Sequence, residues 1–405
     1  MLPAMTSRPA FDPDTPLPGP PEPWASTDVP SQRPGPPYHM TDMIAAEPGL
    51  ARRILRGHTA PGGPAARLAR AIRDVAAAGG PILVTGCGTS EHAALAVVEI
   101  VRDALREASV DAAGLQAVQA FELALDTPRG GLVIGISHEG ATVATNAALD
   151  AARRNGARTA IVTVSDRSPG AALADLVVTT DELDQGWCHV VGYLSPILAM
   201  AAVGAHVSGR AVDPDAAARL LRDGSRDEAG AEGIAARFAD ASRLIVIASG
   251  ADRAAGRELV LKVEEGSWLS AAYRDLETFL HGHLPATDAS TALVVVLADR
   301  AGRTERAARA LGALRAANVL GIRSAAIIAA ELDSTVPADL TPAGRLLVAE
   351  APELPAAVAA LLGSATPLQL LAERLARARG TNPDTIRRDD PLYGSAADAA
   401  EATGP

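Results

Sequence analysis

The chain has 405 residues, 48% of them hydrophobic, and a formal net charge of −11. That is enough to build two domains of ordinary size, and the acidity argues against nucleic acid or an anionic membrane as partner, since both call for a positive surface. No run of 18 apolar residues and no basic-then-apolar leader is present, which predicts a cytoplasmic protein; two cysteines, Cys87 and Cys188, are too few for a disulfide framework and are expected as free thiols.

Residues 1–37 carry 12 of the 29 prolines and almost no periodic apolar pattern, so they predict a disordered leader. A helical pattern begins at Tyr38 (Met40, Met43, Ile44, Leu50, Ile54), and a second follows through Leu68, Ile72 and Val75. The apolar run 81–85 predicts a buried parallel strand; Gly86-Cys87-Gly88-Thr89-Ser90 then turns into an apolar helix over 93–105. The same order recurs as strand 131–136, turn Ser137-His138-Glu139-Gly140-Ala141-Thr142 and helix 143–154. Strands 159–164 and 176–179 and a long helix over 193–207 complete one doubly wound α/β unit.

A second unit of similar plan follows, with strand 243–248, helix 254–268, strand 292–297, helix 303–317 and strand 324–328. The repetition predicts a duplication: units at 38–215 and 216–350, joined through the polar stretch 208–233, and a C-terminal helix and tail at 351–405.

In open α/β sheets ligands bind beyond the carboxyl ends of the strands, where both Ser/Thr-rich turns of the first unit fall. Gly88, Thr89, Ser90, Ser137, His138, Glu139 and Thr142 are therefore candidate ligand contacts. Hydroxyls and free N–H groups at helix starts can cradle a phosphate, although Ser and Thr are also ordinary N-caps. Neither turn is a dinucleotide or Gly-Lys-Ser/Thr fingerprint, so no cofactor is expected.

Of the 37 basic residues 36 are arginine and one is lysine, Lys262. A lysine amine can be tuned, can lose its proton and can attack a carbonyl to form a Schiff base, none of which arginine offers. The alternative is a chance survivor paired one turn from Glu258 on a solvated face. On a helix Glu258, Lys262 and Glu265 stand at i, i+4 and i+7 and share one side. A metal at His281 and His283 lacks a further ligand nearby, and none is expected.

Taken together, Gly86-Cys87-Gly88-Thr89-Ser90, the turn Ser137 to Thr142, Glu258-x-x-x-Lys262-x-x-Glu265, His281-Gly282 and Pro367-Leu368-Gln369-Leu370-Leu371-Ala372 resemble the sugar isomerase (SIS) family. Within it they resemble more closely the isomerase half of glutamine:fructose-6-phosphate amidotransferase and stand-alone amino-sugar phosphate deaminases and isomerases. It runs from about Tyr38 to Pro391, with the motifs in family order and no glutaminase domain ahead of them. The resemblance implies a sugar or sugar phosphate as partner. It also implies Glu265 as the base that moves a proton between C1 and C2, and His281 as the ring-opening acid, supplied by a neighbouring subunit of a homodimer or larger assembly. Lys262 would hold the ketose carbonyl or the enediolate.

Three departures bear on the substrate. Glu139 stands in the turn where the family binds phosphate, and a carboxylate there repels an anion. Trp187-Cys188-His189 replaces a segment of small and hydroxyl residues, which places His189 among the candidate contacts. No lysine follows Arg387-Arg388 in the tail. Three readings stay open: isomerisation with deamination of an amino sugar, sugar binding without catalysis, and cleavage of a sugar substituent by a deglycase or etherase.

Overall fold

The structure, a computed structural model, describes residues 11–18, 22 and 33–401. It contains two five-stranded parallel sheets. In the first unit the helices α1 (His39–Gly57) and α2 (Pro64–Ala77) precede β1 (Ile82–Gly86), α3 (Thr89–Glu107), β2 (Leu115–Gln119) and α4 (Ala120–Leu125). Then come β3 (Leu132–Ile136), α5 (Val143–Arg154), β4 (Arg158–Thr163), β5 (Leu176–Thr179) and α6 (Val191–Ser208). The second unit is reached through α7 (Pro214–Gly224) and α8 (Glu228–Phe238) and contains β6 (Arg243–Ala248), α9 (Asp252–Ser267), β7 (Ala271–Asp275) and α10 (Leu276–Thr278). It closes with β8 (Thr291–Leu297), α11 (Arg303–Val319), β9 (Arg323–Ala329) and β10 (Gly344–Val348), and the chain ends in α12 (Ala356–Arg379) and α13 (Pro391–Glu401).

The strand orders are β2-β1-β3-β4-β5 and β10-β9-β8-β6-β7. Read from the opposite edge the second repeats the first, so the duplication extends to topology. In this order the chain reverses direction across the sheet between the first and third strands, and the crevice at their carboxyl ends is the expected ligand position. The central strands form because Val, Ile and Leu run without interruption, as a strand covered by helices on both faces requires. All five residues of β1 and of β3, and all seven of β8, are buried.

One apolar core runs through both units, with α12 packed between α9, α8 and α7. Helices α6 and α12 are long and apolar enough by composition to cross a membrane, but 83% and 94% of their apolar windows are buried inside the protein. They are core helices. The segments around 193–207 and 368–375, apolar enough to suggest subunit interfaces, spend their side chains inside the chain instead, with Tyr193, Leu194, Leu368 and Leu375 fully buried.

Much of the leader expected to be disordered, 1–10, 19–21 and 23–32, lies outside the described residues. Residues 11–18 depart from that expectation. Leu17 is buried and donates its N–H to Glu182 Oε2 at 2.9 Å, Gln185 Nε2 donates to Pro18 O, and Arg53 ties Asp14 O to the same glutamate. One apolar side chain and a set of hydrogen bonds suffice to fasten this short stretch, which composition averaged over 37 residues hides.

Candidate active site

Where β1 and β3 end, the two glycine- and hydroxyl-bearing turns enclose a cavity of about 280 Å³. The first turn needs glycine at Gly88, whose φ of 56° lies in the left-handed region, to swing the chain from β1 into α3. Thr89 and Ser90 then face the cavity from the first turn of α3. The second turn is pinned by its own backbone, since His138 O accepts the N–H of Val164 at 2.8 Å and the hydroxyl of Thr163 at 3.1 Å. That presents His138, Glu139 and Thr142 to the opening.

These hydroxyls are not spent on capping. Gly88, the residue before α3, has no side chain to cap with, and Thr142 before α5 makes no side-chain cap bond, its Oγ1 accepting instead from Ser137 Oγ at 3.3 Å. Ser137 is buried beneath the turn and supports it rather than lining the cavity.

The opposite wall comes from the second unit. α9 crosses α3 in the antiparallel sense, so that Glu258 meets His92 while Lys262, one turn further on, meets Thr89. Glu258, Lys262 and Glu265 do share one face. Lys262 is 0% exposed, its Nζ 2.6 Å from Glu265 Oε2, 3.4 Å from Glu258 Oε1 and donating to Thr89 Oγ1 at 3.0 Å. Burial works against its charge, but the two carboxylates more than offset this and hold the ammonium above its ordinary value. Glu258, also fully buried, is lowered against its own desolvation by Lys262 and by the His92 bond. An amine held charged in this way is no Schiff-base nucleophile; the solvated-face alternative fails equally, because the lysine is interior. Lys262 does not line the cavity and reaches it through Thr89 and Glu265. Glu265 itself lines the cavity, its side chain 19% exposed.

Of the third wall only His189 was a candidate contact from sequence. The loop between β5 and α6 brings Trp187 and His189, and the segment after α12 brings Ile386 and Arg388. Arg388 stacks on Trp187, its guanidinium carbon 4.0 Å from the ring centroid. Ile386 and Arg387 both take left-handed backbone, φ 42° and 65°, an uncommon state for a β-branched residue. Asp384 fastens this segment by accepting the N–H groups of His39 and Met40 at the start of α1. The Arg387-Arg388 pair after Asn382 carried a signal, but only the fold puts one of them at the cavity.

His281 is elsewhere. It sits beyond β7 in the second unit, 68% exposed, bonded to Glu277 Oε1 at 2.7 Å, and does not line the cavity of its own chain. A further cavity of about 340 Å³ lies at the amino ends of β6 and β7, between Arg243, Ser270 and His283, and has no carboxylate in its lining. It is at the wrong end of the sheet for the chemistry of this fold.

The SIS-domain family profile matches residues 77–205 and 237–343, more than half of the chain and one match per unit. The chain belongs to the SIS-domain family. Among solved structures, this SIS protein is similar to the C-terminal domain of a glucosamine-fructose-6-phosphate aminotransferase from Francisella tularensis (TM-score 0.75, 17% identity, 88% of this chain and 100% of that one). It is also similar to a tagatose-6-phosphate ketose/aldose isomerase from Escherichia coli (TM-score 0.68, 19% identity, covering 88% and 97%). A glucosamine-6-phosphate deaminase from Thermotoga maritima gives a TM-score of 0.60 at 16% identity, covering 85% and 96%. At these identities the likeness is one of fold. No curated protein sequence matches the chain significantly.

Proposed function

We propose that this SIS protein is an aldose–ketose isomerase or deaminase acting on an amino-sugar phosphate or a related amino sugar. The observation that carries the reading is Glu265, a carboxylate on the wall of a cavity of about 280 Å³, anchored 2.6 Å from a buried ammonium. Isomerisation needs a base beside C1 and C2 of an opened sugar. Glu265 removes the C2 proton, the electron pair moves to the C1 carbonyl to give an enediolate, the O2 proton passes to O1 through solvent, and the carbon-bound proton returns at C1 as the C2 carbonyl forms. Where C2 carries an amine, the same proton shift gives a ketimine, and addition of water releases ammonia. Lys262 acts through Glu265 and Thr89 as a positioning residue, its Nζ fixing the carboxylate at 2.6 Å and the hydroxyl at 3.0 Å.

The solved relatives named for amino-sugar and tagatose phosphates favour this class of substrate. Ser90, Thr142 and Arg388 supply hydroxyls and a cation for an anionic substituent, while Glu139 at the opening suits an amine or hydroxyl. The test is incubation with glucosamine 6-phosphate and related amino sugars, following ammonia and ketose, with Glu265→Gln alongside. Loss of about 10²–10⁴-fold in kcat in that variant is expected; retained activity would remove Glu265 from the chemistry. If His281 of a neighbouring subunit completes the site, the assembly is at least a dimer, which sedimentation at micromolar protein decides.

One observation favours a second reading, a sensor that binds sugar without turning it over: the carboxylate Glu139 lines the cavity in the turn from Ser137 to Thr142. Thermal shifts by sugars without product would support it. A deglycase or etherase would use the same base for elimination, and the mass of the product separates it from deamination.

A further inference from the structure

The loop between β5 and α6 carries an arrangement to which the Glu265 mechanism assigns no task. Asp184 Oδ1 accepts the N–H groups of Val190 and Val191 at 2.7 and 2.8 Å, and Oδ2 accepts that of Gly192 at 2.8 Å, so one carboxylate closes the amino end of α6. Oδ2 also accepts Nδ1–H of His189 at 2.9 Å. His189 lines the cavity with its side chain 31% exposed, and its Nε2 has no hydrogen bond to any described residue. Gly192 makes the approach possible, because a Cβ there would stand 2.8 Å from Asp184 Oδ2 and 3.2 Å from His138 Cγ.

A second histidine lies behind the first. His138 Nε2 accepts the N–H of Asp184 at 3.2 Å, and its ring meets that of His189 edge-on at 5.9 Å. Burial pushes His138 down to about 4, so it stays neutral near pH 7. His189 behaves oppositely: burial lowers it, but the charge and hydrogen bond of Asp184 more than compensate and leave it above its ordinary value. The other ionisable groups facing it are His138, Glu139, Lys262 and Glu265, with Arg388 on the same cavity.

The ligand atoms of His138, Asp184 and His189 lie within 4.8 Å of one another. Asp184 Oδ2 nevertheless already accepts from Gly192 N–H and His189 Nδ1–H, and His138 Nε2 from Asp184 N–H, at the positive end of a helix. The trio is wired as a hydrogen-bond relay rather than as a cation cage.

We infer that His189 is the proton-transfer residue that opens the sugar ring within the same chain that supplies Glu265, with Asp184 as its positioning residue. The inference rests on the isomerase reading. Nε2–H of the imidazolium is given to the ring oxygen as the C1–O5 bond breaks. C1–O1 becomes the carbonyl, the O1 proton leaves to solvent, and Glu265 is left to take the C2 proton. A carboxylate that holds Nδ1–H and a free Nε2 at the substrate is the arrangement such a step needs. It also lets each subunit act alone, where a role for His281 requires a neighbour.

The full-length protein is tested as wild type, His189→Gln, His189→Ala and His281→Ala on glucosamine 6-phosphate. His189→Gln should lower kcat about 10²–10⁴-fold and remove the alkaline limb of the kcat/KM pH profile. Added imidazole should restore part of the activity of His189→Ala. A large loss in His281→Ala with a mild one in His189→Gln overturns the assignment, as does an unchanged pH profile in His189→Gln, or activity abolished by a chelator and restored by Zn²⁺. No turnover by wild type overturns the isomerase reading instead. Independently of turnover, histidine-labelled NMR should show a His189 signal, assigned by its absence in His189→Gln, that titrates above the ordinary imidazole value, drops in Asp184→Asn and shifts with glucosamine 6-phosphate. A signal that ignores both Asp184 and the sugar rejects the dyad.

Discussion

The two units share a strand order, yet their sheets end differently. After β1 and β3 the turns leave a cavity walled by Ser90, Thr142 and Glu265. At the matching place after β6 and β8 the chain fills the space itself. Asp252 Oδ2 accepts the N–H groups of Ala298 and Asp299 at 2.8 and 3.0 Å, and Asp299 Oδ2 accepts Ala251 N–H at 2.9 Å and Arg306 Nη1 at 2.6 Å. A carboxylate and a guanidinium thus sit where the first unit keeps hydroxyls and room. A fold offers a position for a site, and the side chains of two turns decide whether it is used.

The comparison can be broken or sharpened at four points. The largest effect is expected at Lys262, the cation that the second unit lends to the first. Lys262→Met leaves Glu258 buried with only His92 and the Thr89 hydroxyl beside it, and should cost about 3–5 kcal/mol of stability in urea denaturation at pH 8. Borohydride with substrate should trap no lysine adduct in the wild type.

Next comes Asp252, fully buried, whose carboxyl is raised from 3.8 to about 7, chiefly by desolvation. Between these values the folded form binds a proton that the unfolded form has released, so stability falls as pH rises through this window and is level above it. Asp252→Asn should flatten that slope, removing up to about 4 kcal/mol of difference between pH 4 and 8, read as urea midpoints. A wild type with no slope would mean that the filled turn tolerates the charge.

A smaller effect separates the turns by function. Ser90→Ala should raise KM for an amino-sugar phosphate about 3–10-fold with kcat little changed, the scale of one hydrogen bond. Ser249→Ala, at the matching turn after β6, should change neither. Equal effects would erase the distinction between the open and the filled end. The smallest change is expected at the rim, where Arg388→Ala should raise KM about two- to fivefold at low salt and less at high salt. A salt-independent result would show that Arg388 contributes by stacking on Trp187 rather than by charge.

Legibility differed between the units' interiors and edges. Seven strands are apolar runs that read directly, even the four-residue edge strand β5, whereas the edge strands β2, β7 and β10 carry interrupted apolar patterns; every residue of β7 is only half-buried, and β10 alternates unevenly. Without a continuous buried run, five residues give no period to detect. In the site, the motif turns and the α9 carboxylates were visible because local geometry relates their members. Asp184 was not, although it stands five residues before His189, because an irregular loop has no period that would pair them. Arg388 lies more than a hundred residues from Glu265, with no local relation to it.

The amino-acid sequence alone determined the duplicated α/β plan, the glycine turns at the carboxyl ends of β1 and β3, and the shared face of Glu258, Lys262 and Glu265. These follow from period, chirality and turn chemistry, which act over a few residues. Only the tertiary structure decided that Lys262 is an interior cation, that His189 rather than His281 faces the chain's own cavity, and that the second unit's turn is filled. Burial and long-range pairing fix those outcomes, and they arise only when α9 packs against α3 and the loop after β5 folds back beside them.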